Sequence, residues 1–150
     1  RARLAPGTSG QFLKTNGAGA NPAWADAALT FKHDIFQRIG DTASGTQTIA
    51  HGLGVTPKYV RMTAFKWIAG NTLAHSDGVY NGTTTSGVHI TDASSNLSGN
   101  STTNIITIID SSGNNQTATI AVDATNITLT WTKAGSPISE GIMVMWEAWG

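Results

Sequence analysis

The stretch Ile127-Thr128-Leu129-Thr130-Trp131-Thr132 alternates large apolar residues with threonine at every step. Side chains that change face at each residue belong to an extended strand with one dry side and one wet side. The same texture recurs from Phe31 onward, as runs of β-branched and aromatic residues broken by Gly, Asn, Asp and Ser clusters. Such spacing is that of a sandwich or barrel. The pattern predicts strands near residues 31–39, 46–51, 58–67, 86–91, 104–109, 116–122, 126–132 and 141–148. Asp110-Ser111-Ser112-Gly113-Asn114-Asn115 falls between two of them and reads as a hairpin loop. Nowhere do apolar residues keep helical spacing for more than two turns. The expected fold class is all-β, an antiparallel β-sandwich, and 150 residues suffice for one such core.

Two features point beyond a lone sandwich. In the last strand Ile142, Val144, Trp146 and Ala148 line one face, while Met143, Met145 and Trp149 line the other with Glu147 interrupting. An antiparallel strand at a monomer surface keeps one face wet, so the second apolar face is expected to meet another subunit or the N-terminal segment. The competing reading is a central strand covered by its own loops. Burying one Trp, about 200 Å² at about 25 cal/mol per Å², is worth roughly 5 kcal/mol. The second feature is the stretch from residue 4 to residue 28, rich in Gly, Ala, Pro, Thr and Asn, with Phe12, Leu13 and Trp24 as isolated large residues. So few apolar groups cannot form a core, and Trp24 needs a surface from elsewhere. The chain thus divides into a short extended, turn-rich segment, 1–30, and a sandwich domain, 31–150. With no cysteine, stability outside a cell must come from packing or association. Lacking an initiator Met, the chain reads as the C-terminal piece of something longer.

Nine basic residues balance nine acidic ones, and at 12% charged residues the chain is far below the usual quarter. Arg38, Lys58, Arg61, Lys66 and Lys133 are scattered, which argues against nucleic acid and anionic membranes as partners. No apolar run approaches the roughly 20 residues of a membrane helix, so no membrane insertion is expected. His33, His51, His75 and His89 lack the short spacing of a metal site, and His51, ahead of Gly52-Leu53-Gly54, reads as a ring bonded to loop backbone. Asp77, Asp92, Asp110 and Asp123 lie in turn-like sequence, which leaves little for the facing carboxylates of a glycosidase. A Gly-x-Ser-x-Gly elbow, a cysteine nucleophile and a phosphate-cradling glycine loop are all missing, so neither an enzyme nor a cofactor is expected.

Two segments carry a resemblance. Pro6-Gly7-Thr8-Ser9-Gly10-Gln11-Phe12-Leu13 through Asn16-Gly17 to Pro22-Ala23-Trp24 resembles the G-x-x-G-Q-x-L…N-G…P-x-W unit of phage tail-fibre and other tail-associated proteins. Ile49-Ala50-His51-Gly52-Leu53-Gly54-Val55-Thr56-Pro57-Lys58-Tyr59-Val60 is similar to the strand, turn and Pro-led strand that open many phage fibre tip domains. The resemblance implies a homotrimer, the first segment entwined about the threefold axis and the sandwich forming a terminal knob. It further implies a place on the virion at the distal end of the tail fibre, attached to the rest of that fibre. The chain departs from tips with an iron-binding His-x-His needle, since no His-x-His occurs.

On this reading the function is adsorption to a bacterial cell-surface polysaccharide or outer-membrane receptor, through loops farthest from the N-terminal segment. Ala69 to Thr85 reads as the longest loop, and its His75, Asp77, Tyr80 and Asn81 are the candidate receptor-binding residues, an aromatic for stacking beside short polar groups. Ser94 to Thr103 reads as a flexible rim. Trp24, Trp146 and Trp149 are the candidate trimer-interface residues. The alternatives are a purely structural virion spike or collar, or a lectin-like sugar-binding module.

Overall fold

The computed structural model describes residues 4–9, 11–26, 30–68, 70, 72–91 and 97–150. Among the described residues twelve strands follow one another: β1 (Gln11–Lys14), β2 (Ala23–Asp26), β3 (Phe31–Ile39), β4 (Gly45–Ala50), β5 (Tyr59–Ile68), β6 (Thr72–Tyr80), β7 (Thr85–Thr91), β8 (Leu97–Ser101), β9 (Ile106–Ser111), β10 (Asn114–Val122), β11 (Asn126–Ala134) and β12 (Gly141–Trp149). No helix forms among the described residues. β1 and β2 make a hairpin of their own, and the rest divide into a six-stranded sheet, β3-β12-β5-β6-β7-β8, and a four-stranded sheet, β4-β11-β10-β9. Neighbouring strands run antiparallel throughout. β12 is inserted between β3 and β5, so the last strand in the chain is an interior strand of the larger sheet.

The core lies between the two sheets, as the alternation requires. Val60, Met62 and Ala64 of β5 and Ile142, Val144, Trp146 and Ala148 of β12 point inward from one side. Ile106, Ile108, Ala118, Ile127, Leu129 and Trp131 meet them from the other. Trp146, only 3% exposed, is therefore buried by its own chain, which corrects its assignment to a subunit contact. Even-numbered positions of β12 face the core; Met143, Met145, Glu147 and Trp149 face outward, where the question of a partner remains.

Near one end the core becomes polar. Lys66 of β5 and Asp110 of β9 are buried, at 1% and 7% exposure, and join the two sheets through bonds of 2.9 and 2.7 Å from Nζ to the two carboxylate oxygens. The Lys66 ammonium also donates to the Ile138 carbonyl at 2.8 Å, and Asp110 accepts the Ile138 N–H at 2.7 Å. Its three protons and the carboxylate are thus satisfied, as an ion pair away from water demands. Asp110 is accordingly an inward-facing core residue and not a turn residue capping its own backbone. The β9–β10 turn itself, Ser112-Gly113, falls inside the expected hairpin loop.

The expected loop from Ala69 to Thr85 does not exist as such. Thr72–Tyr80 is strand β6, paired along its length with β5 and β7. Asp77-Gly78 looks like a turn, but Gly78 is needed for another reason. It faces inward beside its cross-strand partner Gly87, where the chain running from β8 into β9 crosses the sheet. A Cβ on Gly78 would land on the Ile105 carbonyl oxygen, and one on Gly87 would lie 2.5 Å from that of Asn104. Likewise the expected rim, Ser94 to Thr103, contains β8; its portion 94–96, with Asp92, lies outside the described residues.

Two stability measurements check these assignments by urea denaturation. Gly78→Ala should cost about 1–3 kcal/mol, because the obstruction is backbone and cannot rotate away. Asp110→Ala should cost about 3–5 kcal/mol by leaving a buried ammonium unpaired. Unchanged midpoints would contradict the close crossing and the buried pair respectively.

Candidate functional site

The four residues expected to bind a receptor do not converge. His75 and Asp77, odd-numbered on β6, face outward on the six-stranded sheet; Tyr80, at an even position, turns inward and packs against the core. Asn81 shapes the β6–β7 turn, its Oδ1 accepting the N–H groups of Thr83 and Thr84 at 3.1 and 2.8 Å and the Thr84 hydroxyl at 3.1 Å. Tyr80 and Asn81 are thus structural residues. Period-two alternation separates what nearness in sequence had joined.

Asp77 instead belongs to a polar centre on the outer face of the six-stranded sheet. It accepts the Thr63 hydroxyl at 2.6 Å and Arg61 Nη2 at 3.2 Å, and its second oxygen lies 3.2 Å from His75 Nε2. In the next row Glu147 stands in register between His33 and Arg61. Apolar side chains surround this centre. Trp149 has its ring 4.9 Å from that of Phe31 and 5.1 Å from that of Tyr59, while Ile35 and Met145 pair across β3 and β12. An open depression over Arg61, Thr63, Asp77, Met145 and Glu147 marks the middle of the face.

Trp24, the third expected interface residue, sits on the β1–β2 hairpin. Its indole N–H donates to the Ala5 carbonyl at 2.7 Å and its ring lies against Gly7, yet it stays 39% exposed. The segment carrying the Gly-Gln and Pro-x-Trp elements therefore folds back on itself, with Leu13 opposite Trp24.

A second region escaped the sequence reading. At the end of the sandwich remote from Phe31, where β3 begins, lie residues 40–44, the Ser112-Gly113 turn and residues 135–140. Polar residues with buried partners hold this end. Gln116, fully buried, donates to the carbonyls of Gly40 and Thr42, both at 2.7 Å. Arg38 stacks 4.7 Å over the Trp131 ring and donates to the carbonyls of Thr42 and Ala43. Burial depresses the pKa of that guanidinium. Lys133 Nζ donates to Asp41 O at 3.0 Å, and Ser136 N–H to Asn114 Oδ1 at 2.8 Å. Above these anchors Asp41, Ser112, Ser139 and Glu140 are exposed. The only advance signal was polar residues at inward positions, Lys66, Asp110 and Gln116.

At the opposite end His51 is buried, as its position ahead of the Gly-Leu-Gly turn suggested. Leu53 N–H donates to Nδ1 at 3.1 Å, so the ring proton sits on Nε2 and is given to the Asp123 carbonyl at 3.0 Å. The Asp123 carboxylate accepts Thr125 N–H, the Thr125 hydroxyl and Asn126 N–H, which hold its pKa below the ordinary carboxylate value. Among the described residues no three His, Asp or Glu side chains cluster as metal ligands would. No protein-family model, curated protein or solved structure matches this chain.

A depressed pKa makes Asp123 stabilising above the normal carboxylate range, and that contribution disappears as pH falls through the folded-state value. The difference in urea midpoint between the wild type and Asp123→Asn should therefore be largest at pH 7 and shrink by pH 3. An equal difference at both pH values would contradict the carboxylate's role in this turn.

Proposed function

We propose that this chain is the tip of a phage tail fibre, acting as a homotrimer at the distal end of the virion's fibre. In this reading the knob adsorbs to a bacterial surface glycan or outer-membrane receptor without chemical change to it. The observation that carries the proposal is the loop end held by Arg38, Lys66, Asp110 and Gln116. A binding surface whose backbone is already anchored loses little conformational freedom on contact, which is how shallow sites gain affinity. This end also lies opposite the point where the N-terminal segment joins the sandwich at Phe31, so it is the end a stalk would present to a host.

The hairpin with its Gly-Gln-x-Leu and Pro-x-Trp elements supports the same reading through its resemblance to tail-fibre segments. Exposed serines and carboxylates suit the hydroxyls of a neutral sugar. Each such site is weak, and three on one rigid knob gain roughly 10² to 10⁴ in avidity if the receptor repeats at a matching span. A repeating surface polysaccharide meets that condition better than an isolated protein.

Competition of the purified chain against virus adsorption on host cells tests the proposal. Ser112→Arg combined with Ser139→Arg should raise the concentration for half-maximal competition at least about tenfold, equivalent to 1.4 kcal/mol, while leaving the fold intact by circular dichroism. Full competition by this variant would remove the loop end as the receptor site. No competition by the wild type would favour a structural spike or collar.

A further inference from the structure

The two sheets differ in what they show to the outside. On the four-stranded sheet the outward positions of β4, β11 and β10 are mainly threonine, with Thr46, Thr130 and Thr119 side by side in one row and Thr48 beside Thr128 in another. That is an ordinary wet face. On the six-stranded sheet the corresponding positions hold Trp67, Val88, Ile90 and Ile35, exposed by 61, 56, 53 and 50%. Phe31, Ile39 and Met145 on the same face are also exposed. Single exposed apolar residues need no explanation, but this many on one face of one sheet do.

We propose that copies of this chain pack against one another through the outer face of the six-stranded sheet. This rests on the homotrimer reading above and names the surface that forms it. Three observations select a copy of this chain as the occupant. The first is area. Five strands about 4.8 Å apart and about nine residues long at about 3.3 Å each give a footprint of roughly 700 Å², close to what each partner commits in a stable complex.

The second is charge. Asp77 is paired with Arg61 within the face and lies 3.2 Å from His75 Nε2, and Glu147 stands in register between His33 and Arg61. The face shows a foreign partner a few isolated charged groups instead of a strong field of one sign, whereas a copy brings the same apolar rows. The third is the free edge of β3. Among the described residues this nine-residue strand pairs only with β12 and contains no proline, so its outer edge has no strand partner, although the Ile35 N–H is capped by Asp34 Oδ1 at 2.8 Å. Closed association about a symmetry axis covers both, while open edge-to-edge growth would lead to aggregation.

The full chain has no cysteine, which permits two clean measurements. Light scattering at about 10 μM should give three times the 15.6 kDa chain mass for the wild type and for Thr130→Glu on the threonine face. Ile35→Glu with Val88→Glu, at half-exposed positions, should weaken association at least about 100-fold and give the single-chain mass with the β-sheet circular dichroism retained. Met145→Cys should form a disulfide-linked pair on mild oxidation, and Thr130→Cys should not. A monomeric wild type would overturn the inference, as would a trimer indifferent to Ile35→Glu and Val88→Glu or a Met145→Cys that stays unlinked. Indifference in an intact trimer would move the interface elsewhere, to the hairpin for example, without touching the receptor reading, which the adsorption competition tests separately.

Discussion

The Lys66–Asp110 pair is the constraint on which the loop end depends. A β-sandwich normally ends where its apolar residues run out, and water enters between the sheets. Here one strand from each sheet closes that gap with opposite charges, and the Ile138 backbone completes both coordination spheres. Such a pair costs desolvation as well as giving attraction, so its value lies less in net stability than in permitting one alignment of the sheets. Register matters because a one-residue slip of β5 or β9 would turn the charged side chain outward and abandon its partner inside. Gln116 and Arg38 extend the arrangement sideways, fixing the carbonyls of Gly40, Thr42 and Ala43. The geometry of exposed loops is thereby set by groups beneath them.

Much of this was legible in the residues. Alternation located β3, β5, β11 and β12 closely and identified which residues of the last two strands share a face, because large apolar and polar side chains were sorted cleanly between inside and outside. It failed at β6. Thr72–Tyr80 puts Ala74, Ser76 and Gly78 on its inner face, and small inward residues look no different from a polar loop when composition is the guide. Gly78 is small because a backbone crossing needs the room, which is information held by Asn104 and Ile105 some 26 residues further on. Lys66 and Asp110 were obscured in the same way. Each reads as a surface or turn residue alone, and only pairing across 44 positions makes either one a core residue. Trp146 and Trp149 show the converse: three apart in sequence, they lie on opposite faces of one strand.

The arrangement divides labour among the surfaces of the sandwich. One outer face is threonine and suits solvent; the other is aliphatic and aromatic with a small charged centre at Arg61, Asp77 and Glu147; one end carries anchored polar loops. Under the fibre-tip reading proposed above, a face for copies, a face for water and an end for contact would compete for little of the same surface. The hairpin at the N-terminal side adds local order without a large core, since Trp24 finds its hydrogen-bond acceptor and a packing surface within nineteen residues.

The insertion of β12 between β3 and β5 has a kinetic consequence. Ribosomal synthesis delivers β3 and β5 long before the strand that joins them, so while the intervening residues are made each presents an edge without its β12 partner. The six-stranded sheet cannot close until β12 emerges, and the β3–β12 and β4–β11 pairings span most of the sandwich sequence. Contacts so distant along the chain form slowly, and intermediates with open edges are prone to join one another. Closure of the large sheet is therefore gated by the placement of β12, and chains must remain apart until each has placed it.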